Sequence, residues 1–131
     1  MKAKNGLAAS SAAAALFAAS LAAGAASAAD LVISNWDGYM ASDIADAFKA
    51  ATGLEIEVVN HATNEDVVGK VTAGNSGIDV AFLSGQFAQA LAEAGFLATI
   101  DHAQVPNLAN LYPEASELAY DPGNAISVPY A

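Results

Sequence analysis

Segments typical of strands and segments typical of helices alternate along the chain from Asp30 onward, and this order constrains the fold most. Runs rich in β-branched and other apolar residues at 31–35, 54–59 and 78–83 predict three strands. Between and after them, apolar residues recur at helical spacing. Strand–helix–strand units of this length produce a mainly parallel sheet with flanking helices, so the sequence predicts an α/β fold.

The predicted helices have recognisable ends. Ser42, Thr63 and Ser84 stand where each helix is expected to begin, and their side chains can accept a hydrogen bond from the first turn. Gly53 and Gly95 stand where the first and third helices are expected to end. A further strand is expected to begin at 126–128, after a stretch rich in turn-forming residues.

The first 29 residues have the layout of a secretory signal peptide. Lys2 and Lys4 precede an apolar stretch at 7–23, and small residues at 26–29 offer a cleavage site. A membrane anchor is the alternative, but 17 residues is the lower limit for a span and most of them are alanine. We therefore expect residues 1–29 to be a cleaved signal peptide and residues 30–131 to work in the periplasm.

The charge of residues 30–131 restricts the possible partners. Two lysines and fourteen carboxylates give this part a formal charge of −12, which would repel phosphate backbones and argues against nucleic-acid binding. The same field would attract a cationic small ligand. An acidic surface that only maintains solubility is equally consistent with the charge. The chain has no cysteine, which excludes disulfides and thiolate metal sites.

Two loops are candidates for a ligand-binding site, because ligands of open α/β sheets bind at the carboxyl ends of the strands. Trp36, Asp37 and Tyr39 follow the first strand and offer aromatic faces and a carboxylate suited to an ammonium group. Ser84 and Gln86 follow the third strand. As alternatives, the indole of Trp36 could fold back over the sheet edge, and Ser84 could be a plain helix cap.

Catalysis has no positive support in the sequence. His61 and His102 are interpreted as loop or surface residues. His61 and Glu65 are four residues apart, but a predicted strand-to-helix turn separates them and no second histidine follows at metal-site spacing. We expect no metal, no cofactor and no enzymatic activity. A secreted α/β enzyme that uses Ser84 as its nucleophile is the competing hypothesis from another class, and a structural or adhesive secreted fragment is a further one.

Several of these elements resemble one family in order and spacing. They are Asn35-Trp36-x-x-Tyr39, Thr52-Gly53 before an apolar strand, Gly77-Ile78-Asp79-Val80 before Ser84, and Asp121-Pro122-Gly123-Asn124. Together they resemble the amino-terminal lobe of the polyamine-binding (spermidine/putrescine) periplasmic proteins of ABC transporters. The resemblance covers nearly the whole chain after residue 29.

The resemblance implies a fold like a lobe of a type II periplasmic binding protein, here incomplete. Residues 30–131 would form the first lobe of a two-lobed solute-binding protein and end before the second. It implies capture of putrescine or spermidine for a membrane permease, with Trp36 and Tyr39 lining the alkyl chain, Asp37 facing an ammonium and Ser84 at the pocket edge. Gln86 occupies a position, two residues after Ser84, that is often aromatic in the family, which suggests a different or a shorter amine. The alternatives are a receptor for another organic cation or a metal complex, and a non-functional secreted fragment.

Overall fold

The computed structural model describes residues 29–130, and strands and helices alternate through its first two thirds. The elements in chain order are β1 (Leu31–Trp36), α1 (Ile44–Thr52), β2 (Ile56–His61), α2 (Asn64–Thr72), β3 (Val80–Ala81) and α3 (Gly85–Glu93). The predicted α/β alternation is therefore confirmed. The predicted signal peptide, apart from Ala29, lies outside the described residues.

A different kind of structure follows α3. Two 3-10 turns lead into the short helix α4 and a two-stranded antiparallel pair. These elements are His102–Gln104, Pro106–Asn110, α4 (Pro113–Ser116), β4 (Glu117–Leu118) and β5 (Asp121–Pro122). The strand expected at 126–128 is absent from this described segment. The amides of Ile126 and Ser127 donate to the carboxylate of Asp121 instead of to a neighbouring strand, so the expectation was wrong.

The main sheet is parallel, with the strand order β2-β1-β3. Its register pairs Trp36 with His61 at the carboxyl ends of β1 and β2. The regular part of β3, Val80–Ala81, is shorter than the predicted 78–83. Just before it, the Val32 amide donates to the side chain of Asp79 at 2.8 Å in place of a backbone carbonyl. The amide of Phe82 nevertheless donates to the Ser34 carbonyl at 2.9 Å, so the chain follows β1 beyond the regular strand.

The hydrophobic core is small and lies where α2 and α3 pack together. Its buried apolar side chains are Ile56, Val67, Ala88 and Leu91. The beginning of α2 is fixed by a capping box, in which Thr63 and Asp66 each accept the other's backbone amide at 3.2 Å. By contrast, α1 begins at Ile44 after Asp43, without a side-chain cap, so the expectation that Ser42 caps it was wrong.

Candidate ligand-binding site

The carboxyl end of β1 is the topological switch point of the sheet. The chain steps from β1 to β2 and then back across β1 to β3, so the strand order reverses at β1. Ligands of open α/β sheets bind in the crevice outside the strand ends at such a point. Trp36 is the last residue of β1. The loop that follows it therefore lies where the fold favours a binding site.

Three rings lie in contact at this end of the sheet. The centroids of the Trp36 and Tyr39 rings are 5.5 Å apart with their planes tilted by 50°. The ring of His61 lies against Trp36 with a centroid distance of 4.8 Å and an edge-on orientation. Trp36 is half-buried, whereas Tyr39 is 56% exposed. Trp36 and Tyr39, called the aromatic pair below, thus present apolar ring surface at the carboxyl ends of the strands.

The aromatic pair depends on a tight turn. The amide of Tyr39 donates to the Trp36 carbonyl at 3.3 Å. Gly38, inside this turn, has a φ of +75°, a value that costs a residue with a side chain about 1–2 kcal/mol. The turn brings the Tyr39 ring back beside Trp36. Glycine at position 38 therefore favours the backbone conformation that places the two rings together.

We expect Gly38→Ala to destabilise this turn by about 1 kcal/mol. Nothing lies within 4 Å of the place where the new methyl group would stand, so the penalty comes from the backbone angle and not from a clash. Wavelength and anisotropy of Trp36 emission report the change directly, because Trp36 is the only tryptophan of the chain. Gly69→Ala, inside α2 and also in open space, is the control and should leave the emission unchanged; equal spectral changes in both variants would contradict the prediction.

Asp37 lies on the exposed side of this loop. Its Oδ1 accepts a hydrogen bond from Asn60 Nδ2 at 2.9 Å, and both residues are exposed. This bond orients the carboxylate beside the end of β2 while it remains accessible to solvent. The carboxylate is therefore placed next to the aromatic pair and can still receive an ammonium group.

Ser84 is held by Asn64, a residue that sequence reasoning missed. The Oδ1 of Asn64 accepts from the Ser84 amide at 2.9 Å, and its Nδ2 donates to the Ser84 hydroxyl at 3.2 Å. Ser84 occupies the N-cap position of α3, but its side chain makes no capping hydrogen bond. Gln86 is exposed on the first turn of α3. The start of α2 thus orients the serine at the start of α3.

His61 is not the loop or surface residue that the sequence suggested. It is the last residue of β2 and is buried, because β2 extends farther than the predicted 54–59. Its Nδ1 lies 2.9 Å from the hydroxyl of Ser34, which is also buried. Burial lowers the pKa of His61 and thus favours the neutral ring. His102 is exposed, as expected, and its Nε2 donates to the Asn124 carbonyl at 2.9 Å.

Tyr130 connects the two loops of the candidate site. Its hydroxyl donates to the Tyr39 carbonyl at 2.9 Å, and its ring meets the ring of Phe82 edge-on at 5.1 Å. Phe82 precedes Ser84 by two residues. The Tyr39 loop and the segment after β3 are therefore joined through a residue 91 positions along the chain from Tyr39.

These contacts favour ligand binding over catalysis. Within residues 29–130, no group of three histidine, aspartate or glutamate side chains could hold a metal ion. In the same range, no helix is both long enough and apolar enough to cross a membrane. Aromatic rings beside an oriented carboxylate, on a parallel α/β sheet, suit a ligand-binding protein and could accept a small organic cation.

The comparisons with known proteins agree with this class. Residues 43–131 match the family described as bacterial extracellular solute-binding protein, and the chain belongs to that family. Membership confirms the predicted extracytoplasmic location and a solute-binding protein rather than an enzyme. The chain resembles the spermidine/putrescine ABC transporter substrate-binding protein PotD from Streptococcus pneumoniae with a TM-score of 0.73 and 28% identity, over 76% of this chain and 31% of that one. The predicted fold class is thereby confirmed.

Curated relatives are similar at a comparable level. The putrescine-binding periplasmic protein PotF of Escherichia coli is 34% identical over 102 residues, which are 76% of this chain and 28% of that protein. The putrescine-binding periplasmic protein SpuD of Pseudomonas aeruginosa is 35% identical over 113 residues, which are 82% of this chain and 31% of that protein. The chain thus spans less than a third of the length of these relatives.

Proposed function

We propose that this chain supplies one face of a polyamine-binding site in a periplasmic solute-binding protein that delivers its ligand to an ABC transporter permease. Two curated relatives are named for putrescine binding, and the structural relative is named for spermidine and putrescine. In this proposal residues 1–29 are the signal peptide, and residues 30–131 belong to the first lobe of a two-lobed protein.

The observation that carries the proposal is the aromatic pair with Asp37 beside it. A polyamine is a flexible chain in which ammonium groups are separated by methylenes. Tyr39 and Trp36, at a ring distance of 5.5 Å, offer faces for both kinds of group, since aromatic faces attract cations and pack against methylenes. Asp37 offers a charge-assisted hydrogen bond to an ammonium group. Ser84 and Gln86 are proposed to contact the ligand from the neighbouring loop.

The distribution of the few basic residues also favours a cationic ligand. Residues 29–130 contain two lysines, Lys49 and Lys70. Lys49 forms a salt bridge with Glu55, just before the amino end of β2 and thus at the opposite end of the strands from Trp36. Lys49 is therefore remote from the site, whereas Lys70 on α2 is near enough to affect His61 beside Trp36. The attraction for a cation comes from the excess of carboxylates over lysines in residues 30–131.

We expect Asp37→Asn to weaken putrescine binding by about threefold to tenfold, because an exposed charge-assisted contact becomes a neutral one. Titration calorimetry of the chain with putrescine measures the change, and Trp36 emission follows it independently. Asp46→Asn is the matched control, since Asp46 is an exposed carboxylate on the first turn of α1 and its loss alters the net charge equally.

Equal weakening by the Asp37 and Asp46 variants would mean that only the overall field attracts the ligand, and the proposed contact would be wrong. Absence of any response to putrescine or spermidine would contradict the polyamine assignment itself. A response to another organic cation, unaffected by competing putrescine, would then favour a receptor for that cation.

A further inference from the structure

His61 is a buried titratable residue against the ring on which the proposed ligand would lie. Its ring centroid is 4.8 Å from that of Trp36, and the strand register places the two residues opposite each other. Its Nδ1 is engaged with the hydroxyl of Ser34 at 2.9 Å. Among the described residues, Nε2 is buried and has no hydrogen-bond partner. No role was predicted for this histidine from its place in the sequence.

The charged groups around His61 come mainly from one element. From α2, Asp66 favours the charged ring and Lys70 disfavours it. The neighbouring residues of β1 are uncharged, and so are Val80 and Ala81 of β3. Asp37, in the loop after β1, is bonded to Asn60. Desolvation is the largest of these influences, and it lowers the pKa of His61.

We propose that His61 is a positioning residue for Trp36, which in its neutral form supports the indole for a cationic ligand and on protonation in mild acid weakens ligand capture. This inference rests on the proposed function and adds pH control to the same site. Two effects of the added proton act together. A cation beside the indole competes with the ligand for the same ring, and a buried charge without a partner loosens the packing beneath Trp36.

The direction of the pH effect follows from the lowered pKa. His61 binds a proton less readily in the folded chain than at its ordinary value of 6.5. The neutral ring therefore contributes its full stability above the unfolded-state pKa, and this stability is lost as the pH falls through the folded-state pKa. The two aliphatic amines of putrescine titrate near the lysine range, so putrescine keeps its charge between about pH 5.2 and about pH 8.

The first experiment needs no ligand. We expect Trp36 emission of the full chain to change between about pH 8 and about pH 5.2, with a midpoint below the ordinary histidine value. The chain has two histidines and one tryptophan, so His61→Asn should abolish the transition and His102→Gln should retain it. Asparagine keeps a polar atom near Nδ1 for Ser34, and glutamine keeps a donor for the Asn124 carbonyl. A transition that survives His61→Asn, or is absent from the unmodified chain, overturns the inference.

A second readout covers the case in which His61→Asn does not fold. In His102→Gln one imidazole resonance remains, and its proton NMR titration belongs to His61. The inference requires the same midpoint for this resonance and for the Trp36 emission of the same variant. Different midpoints overturn it, because the optical change would then arise from another group.

The third measurement adds putrescine. We expect its affinity to fall by roughly tenfold from about pH 8 to about pH 5.2, as a like charge near the ligand predicts, and to fall much less in His61→Asn. An emission transition with an unchanged putrescine affinity would overturn the inference and leave the proposed function intact. No putrescine response at any pH, with the emission transition present, would instead contradict the proposed function.

Discussion

Replacement of Asp121 by asparagine is expected to destabilise the segment after α3 by about 3–4 kcal/mol. Asp121 is buried, and its carboxylate accepts five hydrogen bonds from four donors in the residues that follow it. The donors are the amides of Ala125, Ile126 and Ser127 and the hydroxyl of Ser127, at distances from 2.7 to 3.3 Å. An asparagine side chain keeps one acceptor oxygen and turns an NH2 group toward donors, so some of these part-buried amides would lose their partner.

The consequences should extend beyond these four donors. The carbonyl of Ala125 accepts from the Ile100 amide at 2.7 Å, and the carbonyl of Asn124 accepts from His102. Asp121 therefore fixes the backbone through which this segment is attached to the chain after α3. Because Tyr130 follows a few residues later and contacts Tyr39, loss of this attachment is also expected to loosen the Tyr39 loop.

Hydrogen exchange of the amides at 125–127 is the direct measurement, and urea unfolding gives the overall free energy. Glu114→Gln is the matched control, since Glu114 is an exposed carboxylate on α4 of the same segment. Exchange should accelerate strongly in Asp121→Asn and remain unchanged in Glu114→Gln. Unchanged protection in Asp121→Asn would show that the carboxylate is not what orders the segment.

The elements that were predicted correctly are those indicated by residues close together in the sequence. Apolar periodicity and β-branched runs are short-range properties, and they located β1, β2 and the three longer helices. Thr63 and Asp66 are three residues apart, so their capping box is readable from the sequence. Gly53 and Gly95 have φ values of 80° and 79°, as residues that end helices in the left-handed region do.

The part that was missed depends on distant or non-periodic contacts. Residues 126–128 alternate apolar and polar side chains, which suits a strand, but the amides at 125–127 donate to the carboxylate of Asp121, a role that the sequence did not predict. His61 was misjudged because a polar residue at the end of a strand gives no sign of burial. Its partner Ser34 is 27 residues earlier in the chain.

Part of the candidate site could be predicted because its residues are close together in the sequence. Trp36, Asp37 and Tyr39 are close in sequence and lie at or just after the end of a strand, so topology alone predicted their place at the carboxyl ends of the strands. The residues that orient them come from elsewhere. Asn60 holds Asp37 across 23 residues, and Asn64 holds Ser84 across 20 residues. Asparagines near strand and helix ends are common, and only the folded chain shows which of them are used.

A second large effect is expected at the start of α3. Gly85 lies so close to Tyr120 that a methyl group at its Cα would stand 2.3 Å from Cδ1 and 2.8 Å from Cγ of that ring. Such contacts are far inside van der Waals distance, and a ring atom next to Cβ cannot move without moving the whole side chain. We expect Gly85→Ala to destabilise the chain by about 2–3 kcal/mol, as overpacking in a close contact does.

Removal of the Tyr120 ring separates two possible causes of this loss of stability, a clash with the ring and a change in helix propensity. Gly69→Ala is the control, because it adds the same methyl group to α2 in open space and should stabilise the chain by about 0.5–1 kcal/mol. In a Tyr120→Ala background the methyl group at position 85 meets no ring, so Gly85→Ala should then cost little. Urea unfolding of the four combinations measures the coupling. A cost for Gly85→Ala that is the same with and without the ring would assign the effect to the backbone at the start of α3 and would contradict the proposed contact.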